Sequence, residues 1–293
     1  MKHSVSISNR SFDVINSTLL LSLMVITVYP CLYVLFASVS DGVALNAGNK
    51  FLLWPRGFQL ESYKRVFLNP MLWIGYRNTL VYVGLGTALN LLLTSFAAYA
   101  LSRRYLPGGK TLMKLIIFTM FFSGGMIPSY LLVMNLGMIN TIFAMIIPGA
   151  ISTWNLIILR SAFMGLPPSL EESAKIDGAN DFLILFRIVI PLSLPAMSVI
   201  FLYYAVGHWN AFFDALIYLR KREMFPIQMV LREILILNDP SMLVGVTDTV
   251  DRMQETIPLK YATIVVSSIP ILLLYPFLQK YFVKGMMIGA IKE

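Results

Sequence analysis

The polar stretch Leu166-Pro-Pro-Ser-Leu-Glu-Glu-Ser-Ala-Lys-Ile-Asp-Gly-Ala-Asn-Asp181 separates two long apolar runs and carries four carboxylates among small residues. Ser169 followed three residues later by Glu172 reads as a capping box that opens a helix. Pro167 and Pro168 stop whatever helix precedes it. Ala174 and Lys175 extend the new helix, which Gly178 ends as a left-handed cap. Asp181 then starts a second helix over Phe182-Leu-Ile-Leu-Phe186-Arg187-Ile188-Val189, ending at Pro191. The expected unit is a short amphipathic helix, a glycine hinge and another helix. Two uses suit it: a connector resting on lipid headgroups, or a segment docking into a groove of another protein. Composition alone leaves both open.

Catalytic chemistry has little to work with. The histidines are His3 and His208, so a histidine metal site and an H-E-x-x-H enzyme are excluded. The single Cys31 excludes an internal disulfide and a cysteine metal site, and reads as a small packing residue. Gly109-Lys110-Thr111 has the ending of a phosphate-binding loop, but Arg104 stands where its first glycine belongs. Any ATP chemistry must therefore come from another subunit. Asp214 is the one acidic residue well inside an apolar run, where charges usually face a cavity or a partner. His208, Trp209, Asn210 and Asp214 lie close enough along a helix to share one side. An aromatic ring stacks on a sugar and an amide bonds its hydroxyls, so this face could line a sugar route. Asp214 could equally pair with a partner helix or sit at an outer mouth near Arg220.

The elements that hold these residues follow from composition. Of 293 residues 57% are hydrophobic and 13% charged, with mean hydropathy +0.73. Soluble domains carry about 25% charged residues, so this chain reads as an integral membrane protein. The net charge of +8 could suggest nucleic acid, but the basic residues fall in short groups between apolar runs, as membrane flanks do. Six runs approach the roughly 20 residues a helix needs to cross hydrocarbon: 17–39, 78–101, 112–134, 139–163, 194–218 and 262–283. The fold class is all-α, one membrane domain of six spans with the cytoplasmic segment 164–193 between the fourth and fifth. Pro30, Pro128, Pro148 and Pro270 fall inside spans, and Gly124-Gly125 precedes Pro128. Neighbouring helices can re-satisfy the backbone groups such residues free. Arg103, Arg104 and Lys110 in the short turn after the second span put that turn in the cytoplasm. Six spans then place both termini there too. The longer outer loops, 40–77 and 218–259, carry five basic residues each and weigh against this less because of their length.

Glu172-Ser173-Ala174, then Asp177-Gly178-Ala179, Phe186, Ile188, Ile190-Pro191 and Pro195 together resemble the coupling-loop signature of ABC-importer membrane subunits. That family pattern is E-A-A, three residues, Gly, nine residues, I-x-L-P. Residues 179–187 supply the nine. Ser173 replaces the middle residue of the first motif and Ile190 replaces the leucine. The resemblance extends over nearly the whole chain, through Trp209-Asn210 and the tail Tyr281-Phe-Val-Lys-Gly285-Met-Met-Ile-Gly289. It is to the carbohydrate-importer branch, and within that to the maltose-type second permease subunit. Gly124-Gly125-Met-Ile-Pro128 is similar to a subgroup associated with plant and algal oligosaccharides, alginate among them.

The resemblance implies a division of labour. This chain and a second permease form a heterodimer around the sugar pathway in a bacterial inner membrane. Two cytoplasmic ATPase subunits carry ATP and Mg, so the chain itself binds no cofactor and is no enzyme. An extracytoplasmic solute-binding protein delivers the oligosaccharide to the outer loops, where Trp54, Tyr63 and Trp73 lie. The coupling helix, about 169–177, is implied to ride in an ATPase cleft through Ser169, Glu171, Glu172, Ser173, Ala174, Asp177, Gly178 and Ala179. Trp209, Asn210 and Asp214 are the candidates for the pathway. The C-terminal tail either reaches towards the ATPase pair or snorkels as a basic end. The competing function is a transporter driven by an ion gradient, which would show repeated halves and several embedded acids.

Overall fold

The computed structural model describes residues 7–48, 51–103, 105–122, 124–237, 256–274 and 276. The tail after Val283, Arg104, Lys2 and much of the loop 218–259 lie outside them. The described chain is helical, with one isolated bridge, Ser40 to Phe58, and no strand. It divides into two compact units, residues 1–69 with 233–268, and residues 70–232 with 269–293.

In the first unit a helix runs Ile7–Ser38, of which Phe12–Ser38 is long and apolar enough to cross a membrane. Its leucines and valines point outward, as lipid-facing side chains do. A tied loop follows. Asp41 caps helix Gly42–Ala47 by accepting from the Ala44 N–H at 3.1 Å. Ser40 Oγ accepts from the Arg56 N–H at 3.0 Å. Of the loop aromatics, Tyr63 shares a 2.7 Å hydrogen bond with Ser38, while Trp54 is exposed. Tyr33 meets Tyr261, on the span Thr256–Leu274, edge to face.

The second unit is organised by helix Pro70–Ser102, 33 residues long. Asn78, Tyr82, Gly86, Asn90, Thr94 and Ala98 recur every four residues, and all are buried. At that spacing they form one face. Small and polar residues there let neighbouring helices approach and bond across, which substitutes for hydrophobic attraction inside lipid. Asn78 donates to the Glu223 and Phe225 carbonyls at 2.7 and 3.1 Å. Thr94 and Tyr204 share a 2.7 Å hydroxyl bond. Gly86 is required because a Cβ there would collide with the His208 ring.

Among the described residues three helices can cross a membrane by length and composition, or four if Asp181–Leu192 and Leu194–Trp209, bent by 88°, form one span. The runs expected as the third and fourth spans are interrupted. The third divides into Gly109–Phe118 and Met126–Asn135, with Gly125 at φ +88° between them. The fourth divides into Phe143–Ile146 and Thr153–Met164, with Pro148 and left-handed Gly149 between. The fifth breaks at Asn210–Ala211 before Phe212–Tyr218. Hydropathy counts apolar side chains and misses such breaks. Irregular backbone at membrane depth is tolerated where protein or a water-filled cavity surrounds it, so each break marks a place to look for one.

Candidate functional site

The coupling segment forms helix Pro168–Ile176, which holds Ser169, Glu171, Glu172, Ser173 and Ala174. The expected capping box is absent. Pro167 occupies the N-cap, no side chain caps the helix, and Ser169 sits in its first turn. The proline pair explains the shift. Pro168 has no N–H to satisfy and a fixed helical φ, so it takes the first helical position. The residue before it is then forced extended, as Pro167 is at ψ 126°.

The other end agrees with the expectation for Gly178, which adopts φ +80°. The Gly178 N–H bonds the Lys175 carbonyl at 3.1 Å and the Ala179 N–H bonds the Ala174 carbonyl at 2.9 Å. This pair of bonds is a Schellman cap. Ala174 and Ala179 both pack against the buried cluster that includes Phe163, Ile184 and Leu185. Asn180 caps the next helix by accepting from the Leu183 N–H at 2.8 Å. That helix runs through Asp181–Leu192 with a widened π turn at Leu185–Val189, just ahead of Pro191.

A polar junction fastens the segment to the end of helix Pro70–Ser102. Arg103 pairs with Glu171, and both side chains are nearly buried. The Arg103 guanidinium lies over the Tyr99 ring, 4.2 Å from its centre, and its Nε donates to the Tyr99 carbonyl. Tyr99 donates to Asp181 at 3.2 Å. Lys175 pairs with Asp181 at 3.5 Å and donates to the Tyr105 hydroxyl at 3.2 Å. That hydrogen bond holds the Lys175 ammonium above its ordinary pKa. Arg160 donates to the Leu101 carbonyl at 2.8 Å, satisfying a helix end. Sequence reasoning used Arg103 as a topology marker and missed this role, since no spacing rule links 103 to 171. Glu171 is thus turned inward, whereas Ser169, Glu172, Ser173, Ile176 and Asp177 face outward. Ile176 is 86% exposed, an apolar knob on an otherwise polar face.

The pathway candidates separate. Trp209 is buried, its ring 6.3 Å from that of Tyr76. Asn210 ends helix Leu194–Trp209 and accepts a 3.5 Å contact from Gln228. Asp214 instead lines a cavity of about 510 Å³ with His208, Asn90, Asn155, Trp154 and Tyr203. Pro148, Gly149 and Ala211 also border it, so the breaks in the fourth and fifth runs both open onto this space. No group of three or more metal-binding side chains occurs among the described residues.

Residues 90–288 match the family model described as the binding-protein-dependent transport system inner membrane component. The chain belongs to this family. Two relatives from Bacillus subtilis strain 168 are each 43% identical over 289 residues. One is the protein LplC, matched over 97% of this chain and 96% of its own. The other is the polygalacturonan/rhamnogalacturonan transport system permease protein YtcP, matched over 97% and 99%. Among solved structures, a chain from a bacterial ABC transporter involved in import of the acidic polysaccharide alginate superposes with TM-score 0.86. It is 34% identical and covers 96% of this chain and 100% of its own. This inner membrane component is therefore a transport permease, and the coupling-loop resemblance was to the correct family. Nothing in these matches favours an ion-gradient transporter.

Proposed function

We propose that this chain is one of two membrane subunits of a sugar-oligosaccharide importer, with helix Pro168–Ile176 docking on a separate ATPase subunit. The observation that carries the reading is the asymmetry of that helix. One side is locked to the membrane helices by Arg103–Glu171 and by Ala174, and the other offers Glu172, Ser173 and Ile176 to a partner. A rigid lever of this kind passes movement of a docked partner to helices Pro70–Ser102 and Asp181–Leu192 together. The name of one relative, a polygalacturonan/rhamnogalacturonan transport system permease protein, points to sugar as cargo. The partner permease, two ATPases that hold ATP and Mg, an extracytoplasmic binding protein and cytoplasmic termini complete the assembly.

The test is ATP hydrolysis in proteoliposomes by the assembled complex, with and without binding protein loaded with oligosaccharide. Wild type should be stimulated. Glu172→Ala together with Ile176→Ser should lose at least tenfold of that stimulation while the chain still folds, since both side chains are exposed. Stimulated hydrolysis at the wild-type rate in this double variant, or sugar uptake driven by an ion gradient without ATP, would overturn the reading.

A further inference from the structure

We propose that segment 51–58 lies within the bilayer leaflet nearest Ser38, with its aromatic and aliphatic side chains among lipid acyl chains. The inference goes beyond the importer reading and does not depend on it. It concerns the first unit alone, and three observations carry it.

The first is that the loop is inside out. Phe51, Leu53, Trp54 and Phe58 are 73, 75, 77 and 72% exposed, while Ser38 and Ser40 are fully buried. Asp41, Arg56 and Gln59 are half-buried. Gln59 Nε2 donates to Asp41 Oδ1 at 3.2 Å, and the Arg56 guanidinium fills the space that a side chain at Gly48 would need. A loop in water turns its polar groups outward, and apolar residues are exposed singly. A cluster of large ones marks a surface that something apolar covers.

The second is that this exposure is built in. The Asp41 N–H donates to the Arg56 and Gly57 carbonyls at 2.8 and 2.9 Å, and the Gln59 N–H to the Val39 carbonyl at 2.9 Å. Arg56 Nη2 donates to the Phe51 carbonyl at 3.1 Å. Leu52 plugs the inner side of the loop, and its N–H donates to the Tyr29 hydroxyl at 3.2 Å. Non-helical backbone needs partners of this kind at membrane depth. The same bonds keep the four apolar side chains from collapsing inward.

The third is level and continuity. Tyr29 lies nine residues before the helix end at Ser38, about 13 Å down its axis. The Phe51 ring is 5.6 Å from that of Tyr29, and the Trp54 ring is 6.1 Å from that of Phe36. The segment therefore folds back beside the span Phe12–Ser38 instead of rising above it. Val25, Val28, Leu32 and Leu35 on that span are exposed, and the lipid that covers them reaches the loop as well. Residues 51–55, Phe-Leu-Leu-Trp-Pro, carry no charge, and tryptophan is enriched where acyl chains meet headgroups. The loop becomes a second anchor for the first span, and Trp54 is withdrawn from the face that a soluble partner can reach.

The experiment is spin-label accessibility in lipid nanodiscs, on the full chain with its accompanying subunits and in a Cys31→Ser background. Labels go on Trp54→Cys, on Leu53→Cys and, as a water-side reference, on Lys64→Cys in helix Glu61–Leu68. All three side chains are exposed, so labelling should spare folding, and positions 53 and 54 report independently. Oxygen concentrates in the hydrocarbon and a nickel chelate stays in water. The ratio of oxygen to nickel access should be roughly tenfold higher at 53 and 54 than at 64. Equal ratios at the three positions would put the loop in water and overturn the proposal. Access of neither reagent at 53 and 54 would mean that another protein chain covers the patch, and would overturn it as well.

Discussion

The junction at Arg103 lies just past the end of helix Pro70–Ser102 and Asn90 lies within that helix; each place leaves one buried polar atom over, yet they differ in how their charges are paired. At the junction Glu171, Asp181, Lys175, Tyr99 and Tyr105 all have partners, and Arg103 Nη2 is the buried atom left over. Around the cavity Asn90 keeps a spare polar atom and Asp214 has no counter-ion among the described residues. Polar networks that are nearly satisfied fix a single geometry, which is what a lever needs. The contrast sets a firmly tied segment, which the proposed docking role requires, apart from a cavity whose carboxylate is left without a counter-ion among the described residues.

Breaking the lever should give the largest effect. Gly178→Pro removes the N–H that bonds Lys175 and forbids φ +80°, so both Schellman bonds are lost. Uptake should fall to background in proteoliposomes, with hydrolysis no longer answering to loaded binding protein. Gly178→Ala is the graded partner. A Cβ there meets nothing within 4 Å, so its cost is backbone strain alone, about 1–2 kcal/mol, and transport should be reduced but measurable. Equal behaviour of the two variants would show that the hinge conformation does not matter to coupling.

Arg103→Ala comes next. It leaves Glu171 without its counter-charge in a nearly buried position, and removing one partner of such a pair costs about 3 kcal/mol or more. Thermal unfolding of the purified complex should shift down clearly. Arg103→Leu combined with Glu171→Leu should recover much of the shift, because an apolar pair can replace a buried ion pair at little cost. If the double variant is as unstable as the single one, Arg103 acts through Tyr99 instead, and the junction is a stacking contact rather than an ionic lock.

What could be read beforehand divides along physical lines. Gly178 was legible because left-handed backbone restricts residue choice, and a helix stop followed by Asn180 and Asp181 states where the next helix begins. Ser169 was misplaced because the capping-box pattern ignores its neighbour, and Pro168 outcompetes it for the first turn. The interrupted spans were missed although Pro148-Gly149 and Gly124-Gly125 stood in plain view. Pattern alone does not say whether neighbours heal such a break or leave it open. Asn90 and Asn155 were invisible as cavity residues for a related reason. An amide in an apolar run looks identical whether it bonds a neighbouring helix, as Asn78 does, or faces a space.

The smallest expected effect belongs to the exposed edge of the junction. Lys175 and Asp181 sit 3.5 Å apart with side chains 43% and 55% exposed. Solvent screening holds such a pair to under about 1 kcal/mol, so Lys175→Met should scarcely move thermal unfolding near neutral pH. The sign of its pH dependence is still fixed. Hydrogen bonding to Tyr105 first, and the nearby Asp181 charge after it, raise the folded-state pKa of Lys175 above 10.5. A raised lysine contributes its stabilisation fully below the unfolded value and loses it as pH climbs through the folded one. Wild type and Lys175→Met should therefore differ slightly at pH 8 and converge above pH 10.5, measured by unfolding across that range. A difference that grows with alkaline pH would mean that Lys175 is held against its charge, and that the junction's outer edge is strained where its inner edge is not.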